Sequence, residues 1–275
     1  MCDGPKTIQL PGCLWIRSQD TSRDSGRSDS SSSELLWQRA IRGGLGMSTA
    51  KLYDVWWLET PDGDAEMERR HQRHWQKIVA MILETDLSSF AVLDFGCGQG
   101  GFLRYLYGTR PFKRGVGVDL AQESVGIARS RADGLPIDYH SAGSLLPYEN
   151  EFDMAISSSV LYLISDLRDH AQQVRHALRP GGVYYATYTD CARSRSLPRM
   201  RREINRHSMG RMNLHSLDQI TRTFEGEGFD VGISRLPVQG YVPVSSNDRF
   251  FRRVSDRMES EYMQAYIFRF SASGQ

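Results

Sequence analysis

The stretch VLDFGCGQGG, residues 92–101, joins an apolar run to an acid and then to a loop that is mostly glycine. A short apolar run bounded this way reads as a buried strand, and the glycines as the turn that follows it. Gly96, Gly98 and Gly101 fit the spacing GxGxxG. Glycine is needed there because a Cβ would block the tight turn and hold a ligand off the backbone. The pattern alone is weak, since dinucleotide-binding loops share it. Asp119 closes the next apolar run, GVGVDL (115–120), where a carboxylate can take both hydroxyls of a ribose. A nicotinamide enzyme would satisfy all of this.

Asp94 separates the two readings. A dinucleotide seats its pyrophosphate on the helix N-terminus behind the glycine loop. A carboxylate just before that loop would repel it. S-adenosylmethionine has no phosphate, and its α-ammonium and sulfonium are both cationic, so an acid at the end of the first strand suits it.

Working outward, strands alternate with helices. FAVLDF (90–95), GVGVDL (115–120), PIDYHSA (136–142), FDMAISSS (152–159), GVYYATYT (182–189), FDVGISRL (229–236) and YMQAYIFRF (262–270) read as strands. Thr60 and Pro61 open a helix carrying Met67, His71, Trp75, Ile78 and Ile82 at helical spacing. Ala121, Val125, Ala128 and Ala132 mark another, and Leu167, Ala171, Val174 and Leu178 a third, stopped by RPGG (179–182). Ser216 and Gln219 form a capping box before Leu217, Ile220 and Phe224. This alternation predicts an α/β fold with a mostly parallel sheet. Ligands in such sheets sit outside the carboxyl ends of the strands.

The chain resembles the class I S-adenosylmethionine-dependent methyltransferases, well over residues 85–190 and loosely beyond. VLDFGCGQGGFLRYL is similar to the family's first motif, GVGVDL to the second with its ribose-binding acid, LPYENEFDMAISSSVLYLISD to the stretch from the adenine loop through the fourth strand, and LRPGG to the turn before the fifth. Four motifs in order are far more specific than one. The resemblance implies a Rossmann-like, seven-stranded, mostly parallel sheet with helices on both faces and an antiparallel last strand. It implies methyl transfer from S-adenosylmethionine. Asp94 and the backbone of Gly96, Cys97, Gly98 and Gly100 would contact the methionine moiety, Asp119 the ribose and Leu120 the adenine. Ala142 and Gly143 stand where relatives place an acid and a small residue beside the adenine; HSAGSLLPY has no acid there. Ser157 and Ser158 would lie near the sulfonium.

Methyl transfer asks the protein mainly for alignment, and for a general base where the acceptor carries a proton. Tyr162, His207 and His215 are the candidates for that role, with His140 a further one. The D/N-P-P-Y motif of exocyclic amino methylation is missing; SSSV stands in its place. His71 and His74, with Glu68, could be half a metal site, but nothing in the sequence completes it, so no metal is expected. The segment 191–215 is longer than a plain connection and reads as a substrate lid on the carboxyl edge. It is rich in arginine, and Arg199 and Arg202, spaced i, i+3, are the candidates for holding an anionic group. Arginine greatly outnumbers lysine in the whole chain, so a codon bias would also produce such a run.

The bulk properties set the remaining expectations. The chain has 275 residues and a formal net charge of +1, which gives no global push toward nucleic acid or a membrane. Cys2, Cys13, Cys97 and Cys191 are scattered, without a CxxC pair, and no secretory signal stands at the start. A cytoplasmic protein is expected. Residues 17–33 are rich in Ser, Asp and Arg and cannot bury enough surface to order. Residues 1–46 are therefore read as a disordered or dispensable tail with Met47 as the natural start, and 47–275 as one methyltransferase domain whose N-terminal helices span 47–88. Tyr53, Trp56 and Trp57 are core anchors or part of a lid. A small-molecule acceptor is expected, and the arginines point to an anionic one. An RNA or protein methyltransferase and a nicotinamide-dependent oxidoreductase are the alternatives. The sequence leaves the oligomeric state open.

Overall fold

The computed structural model describes residues 63–207 and 211–273, together with two short antiparallel strands, Thr7–Gln9 and Trp15–Arg17, inside the stretch 1–46. The readings of 18–33, Met47, Tyr53, Trp56, Trp57, Thr60 and Pro61 fall outside the described residues.

Strand β1, Ala91–Phe95, runs through the middle of the molecule, with Val92 and Leu93 fully buried. Burial on both faces is why the run is continuously apolar rather than alternating. Beside it lie β2 (Arg114–Asp119) and then β3 (Ile137–Ser141) on one side. On the other lie β4 (Phe152–Ser157) and β5 (Leu178–Thr189). These five strands are parallel. The chain then skips a place. β6 (Phe229–Arg235) forms the outer edge, and β7 (Ala265–Ala272) slots between it and β5, antiparallel to both. The spatial order is β3-β2-β1-β4-β5-β7-β6. The expected seven-stranded, mostly parallel sheet with an antiparallel last strand is present.

Successive residues of a strand face opposite sides, and two cores follow. On one face, α1 (Gly63–Met81), α2 (Gly101–Thr109) and α3 (Gln122–Ser130) bring Trp75, Ile78, Leu103, Leu106 and Val125 against Val92 and Ile156. On the other, α4 (Leu167–Ala177) and α6 (Leu217–Gly226) bring Ala171, Val174, Ile220 and Phe224 against Leu93 and Phe270. Two helix starts follow their side chains. The Asp166 carboxylate accepts the N–H groups of Arg168 and Asp169, both at 3.0 Å, and Ser216 Oγ accepts that of Gln219 at 3.0 Å. Each satisfies amides that a first turn leaves unpaired.

Three elements differ from the sequence reading. RPGG does end the helix, but as a bulge: the ladder passes from Leu178 opposite Phe152 to Val183 opposite Met154, with Gly181 at φ 76°. The segment 191–215 contains a helix, α5 (Leu197–His207), whose buried Met200 and Ile204 are i, i+4 neighbours concealed among arginines. The last strand starts at Ala265, not 262, because α7 (Val254–Glu259) runs on into a π-turn over Ser260–Gln264.

Candidate active site

The parallel strands β1, β2, β3, β4 and β5 end in Phe95, Asp119, Ser141, Ser157 and Thr189, so the sequence-predicted residues converge on one edge of the sheet. The glycine loop is bound tightly to its neighbour there. The N–H groups of Gly96 and Cys97 both donate to the Val118 carbonyl, at 2.8 and 3.1 Å, and that of Gly98 to Asp119 Oδ2 at 2.8 Å. Gly96, Gly98 and Gly100 all have positive φ, at 80°, 51° and 75°. Only glycine enters that region without penalty. At Gly100 space is short as well: a Cβ would run into the Tyr139 ring, whose hydroxyl donates to the Gly100 carbonyl at 2.8 Å.

Asp94 and Asp119 lie 2% and 6% exposed beneath this loop. Burial first, and then the charge of Asp119, push the Asp94 carboxyl up to about 8. Asp119 is held by two amides, Gly98 on Oδ2 and Ala121 on Oδ1 at 2.9 Å. No cation among the described residues compensates Asp94. A buried acid pair of this kind favours a cationic ligand. S-adenosylmethionine, with two cationic centres and no phosphate, fits; a pyrophosphate does not.

Beyond Asp119 the surface turns apolar. Leu120 is half exposed at 50%. Gly143 approaches it so closely that a Cβ there would come 2.5 Å from Leu120 Cδ2. Ala142 donates its N–H to the Asp119 carbonyl at 3.0 Å. Leu120, Ala142 and Gly143 thus lie together beside Asp119, with no acid among them.

At the end of β4 the hydroxyls differ. Ser157 is fully buried, and its Oγ is hydrogen-bonded to Tyr184 OH at 2.5 Å, either hydroxyl able to donate. Tyr184 in turn meets His170 Nε2 at 3.0 Å, and burial lowers the His170 imidazole to about 4. This chain of three is committed to the interior. Ser158 is half-buried, and Ser159, at φ 64°, gives its N–H to Thr187 Oγ1 at 2.8 Å.

The other candidates are spread along the same edge. Tyr162 sits in a single 3-10 turn, Leu161–Leu163, at 8% exposure, with its carbonyl accepting the Asn213 N–H at 2.8 Å. His215 is buried; its Nε2 lies 2.8 Å from the Ile164 carbonyl, so Nε2 carries the proton and Nδ1 is the acceptor. His207 is the last residue of α5, and its side chain is outside the described set. His140 is exposed on β3. Arg199 donates from Nε to the Arg249 carbonyl at 2.6 Å, while Arg202 is exposed. His71 and His74 lie on α1, and burial lowers them to about 4 and about 3. Among the described residues no group of three metal-binding side chains gathers.

Fold and loop define a Rossmann-like, S-adenosylmethionine-dependent methyltransferase. A methyltransferase-domain family model matches residues 67–232, and the chain belongs to that family. The chain is 22% identical over 237 residues to the phthiotriol/phenolphthiotriol dimycocerosates methyltransferase 1 of Mycobacterium ulcerans, covering 84% of this chain and 83% of that protein. It is 28% identical over 123 residues to the fatty-acid O-methyltransferase of Mycolicibacterium smegmatis, 44% of each chain. Among solved structures it is similar to the partner of the Haloferax volcanii Trm112 methyltransferase activator, with TM-score 0.67 and 22% identity over 80% of this chain and 97% of that one. It is also similar to the geranyl diphosphate C-methyltransferase of Streptomyces coelicolor, with TM-score 0.59 and 13% identity over 82% and 99%.

Several supporting residues were not apparent in the sequence. Tyr139 reads there only as part of the strand PIDYHSA, yet its hydroxyl donates to the Gly100 carbonyl of the loop. Trp75 packs over Gly101, where a Cβ would meet its ring. The buried Arg257–Glu261 pair, at 3.0 Å, has no motif at all beyond its i, i+4 spacing.

Proposed function

We propose that this methyltransferase acts on a small amphiphile: a long apolar skeleton with an oxygen head group that is anionic or becomes so. The observation that carries this reading is the company the chain keeps. Its relatives are named for dimycocerosates and fatty acids, and a structural neighbour for geranyl diphosphate. Each name denotes a molecule with an apolar chain and oxygen functions. When bound, S-adenosylmethionine supplies a methyl group already activated by its sulfonium. The chain's own residues then have three tasks.

Asp94 and the Gly96, Cys97, Gly98 and Gly100 backbone hold the methionine end, Asp119 the ribose, and Leu120, Ala142 and Gly143 the adenine. Ser158 is left to face the sulfonium, since the Ser157 hydroxyl is committed to Tyr184. Arg199 and Arg202 steer the head group. A carboxylate or phosphate needs no base, because it arrives ionised; a hydroxyl does. For that case His215 offers a free-standing Nδ1, oriented by the Ile164 carbonyl on the other nitrogen, and Tyr162 lies on the neighbouring turn.

The test is methyl transfer from radiolabelled S-adenosylmethionine to fatty acids, long-chain hydroxy compounds and prenyl phosphates, each dispersed in neutral detergent micelles. Transfer to at least one amphiphile and none to short water-soluble analogues is the expected result. Efficient methylation of a polar metabolite or of RNA, with no amphiphile accepted, would overturn it.

A further inference from the structure

The net charge of +1 conceals a strong separation of charge. Two stretches leave the carboxyl edge together: 190–215 after β5, and 245–257 before β7. They are joined at their bases, where the Asp190 N–H donates to the Gln264 carbonyl at 2.8 Å. They are joined again farther out. Arg199 Nε donates to the Arg249 carbonyl at 2.6 Å, the Arg252 N–H to Ser196 Oγ at 2.9 Å, and Ser196 Oγ to Asp256 Oδ2 at 2.6 Å. The two stretches therefore present one surface.

The outside of that surface is mainly basic. Its acids are withdrawn: Asp248 and Asp256 are buried at 4% and 6%, and Asp190 and Glu203 are half-buried. Arg257 is buried against Glu261 and Arg199 is half-buried, but Arg195, Arg202, Arg206, Arg249, Arg252 and Arg253 are exposed. Helix geometry accounts for part of this. Met200 and Ile204 fix the inward face of α5, so Arg202 and Arg206 point the opposite way. A codon bias raises arginine everywhere; it does not bury Asp248 and Asp256 while six arginines of the same two stretches stay exposed. The same arm exposes apolar side chains beside the arginines, Val254 at 45%, Val244 at 47% and Tyr241 at 98%.

We propose that this arginine surface docks the protein onto an anionic lipid bilayer, with the carboxyl edge of the sheet toward the membrane. Guanidinium groups recognise the phosphate heads, and Tyr241, Val244 and Val254 enter the interfacial layer. Each basic residue near such a surface adds a modest attraction, so a cluster binds where single residues do not. The docking is peripheral: among the described residues no helix is long and apolar enough to cross a membrane. That the acceptor is drawn from the bilayer rests on the amphiphile reading above; the docking itself does not.

The experiment is vesicle flotation of the full chain at low and physiological salt. Vesicles of phosphatidylcholine with about one third phosphatidylglycerol are compared with pure phosphatidylcholine. Binding to the anionic vesicles alone is expected, weakening with salt. The triple variant Arg249→Glu, Arg252→Glu, Arg253→Glu should lose more than about tenfold of it, while calorimetry shows unchanged affinity for S-adenosylhomocysteine. Equal binding to both vesicle types, no binding at low salt, or full binding by the folded triple variant overturns the proposal. So does a short RNA that binds the same arginines more tightly than the anionic vesicles. Methylation in neutral micelles is measured separately, so failure of the docking and failure of the acceptor reading give different results.

Discussion

The carboxylate of Asp119 holds the amide of Gly98 at 2.8 Å. The residue expected to bind ribose is therefore also a strut of the loop expected to receive the methionine end. Its second oxygen holds Ala121 at 2.9 Å, which fixes the start of α3. Removing the side chain releases two buried amides as well as the expected ribose contact. Asp119→Ala should weaken S-adenosylhomocysteine by at least about 1.5–3 kcal/mol, the range for hydrogen bonds to charged groups. Asp119→Asn, which keeps one acceptor oxygen, should fall between. Isothermal calorimetry on the folded variants reads both, and equal affinities for wild type and Asp119→Ala would remove this role.

Asp94 gives a pH signature. Its carboxyl stands at about 8 in the free protein, above the ordinary value of 3.8, through burial and the nearby Asp119. The folded state thus holds a proton that the unfolded state releases between these values. Stability from this group is fully present below about 4 and declines as pH rises toward 8. A cationic cofactor reverses the bias by favouring the carboxylate. Cofactor binding near pH 7 should then release close to one proton, and affinity should rise with pH until it levels off above about 8. Calorimetry in two buffers of different ionisation enthalpy measures the released proton directly. Asp94→Asn should abolish the release and lower affinity, yet melt higher than the wild type in alkaline buffer. A binding enthalpy independent of buffer would argue against a protonated Asp94.

Tyr139 offers a test of the loop without touching it. Its hydroxyl donates to the Gly100 carbonyl, and its ring fills the space that keeps position 100 a glycine. Tyr139→Phe leaves that carbonyl only the Arg104 N–H at 3.4 Å and should cost about 0.5–1.5 kcal/mol, seen as a lower melting temperature and a weaker cofactor. Gly100→Ala adds left-handed strain of about 1–2 kcal/mol to the collision with the ring, so it should be the worse of the two. An unaffected Gly100→Ala protein would mean that the loop has another conformation.

How much of this could be read from the chain alone depended on whether the signal was local. Buried strands such as VLDF and the capping pair Ser216 and Gln219 carry their periodicity and their caps within a few residues, and they appear where expected. The antiparallel placing of β7 came from the resemblance, not from local pattern. α5 was concealed because four of its eleven residues are arginines and only Leu197, Met200 and Ile204 carry the helical period. The π-turn before β7 looks like strand in sequence, since Tyr262 and Met263 are apolar yet face outward at 47% and 49% exposure. In the site, the glycines and both acids were legible because motif chemistry demands them. Tyr139, Trp75 and the Arg199–Arg249 contact were not, because each depends on residues far apart in sequence meeting through the sheet.

The arginine pair gives the last prediction, and the structure divides its two members. Arg199 spends Nε on the Arg249 carbonyl, so it ties α5 to the 245–257 stretch and leaves its remaining nitrogens for a ligand. Arg202 is exposed, one turn further on. If both steer an anionic head group, Arg199→Ala with Arg202→Ala should raise KM for the acceptor about tenfold or more, since each lost charged hydrogen bond is worth roughly 1.5–3 kcal/mol before solvent screening. kcat and S-adenosylhomocysteine affinity should stay near wild type. The single variants separate steering from scaffolding. Arg202→Ala should change KM alone, whereas Arg199→Ala should also lower the melting temperature by freeing the Arg249 carbonyl. Arg199→Lys keeps the charge but not the planar fork, and should recover little of the loss. A double variant with unaltered KM, or a preferred acceptor whose head group is cationic, would take these arginines out of the site.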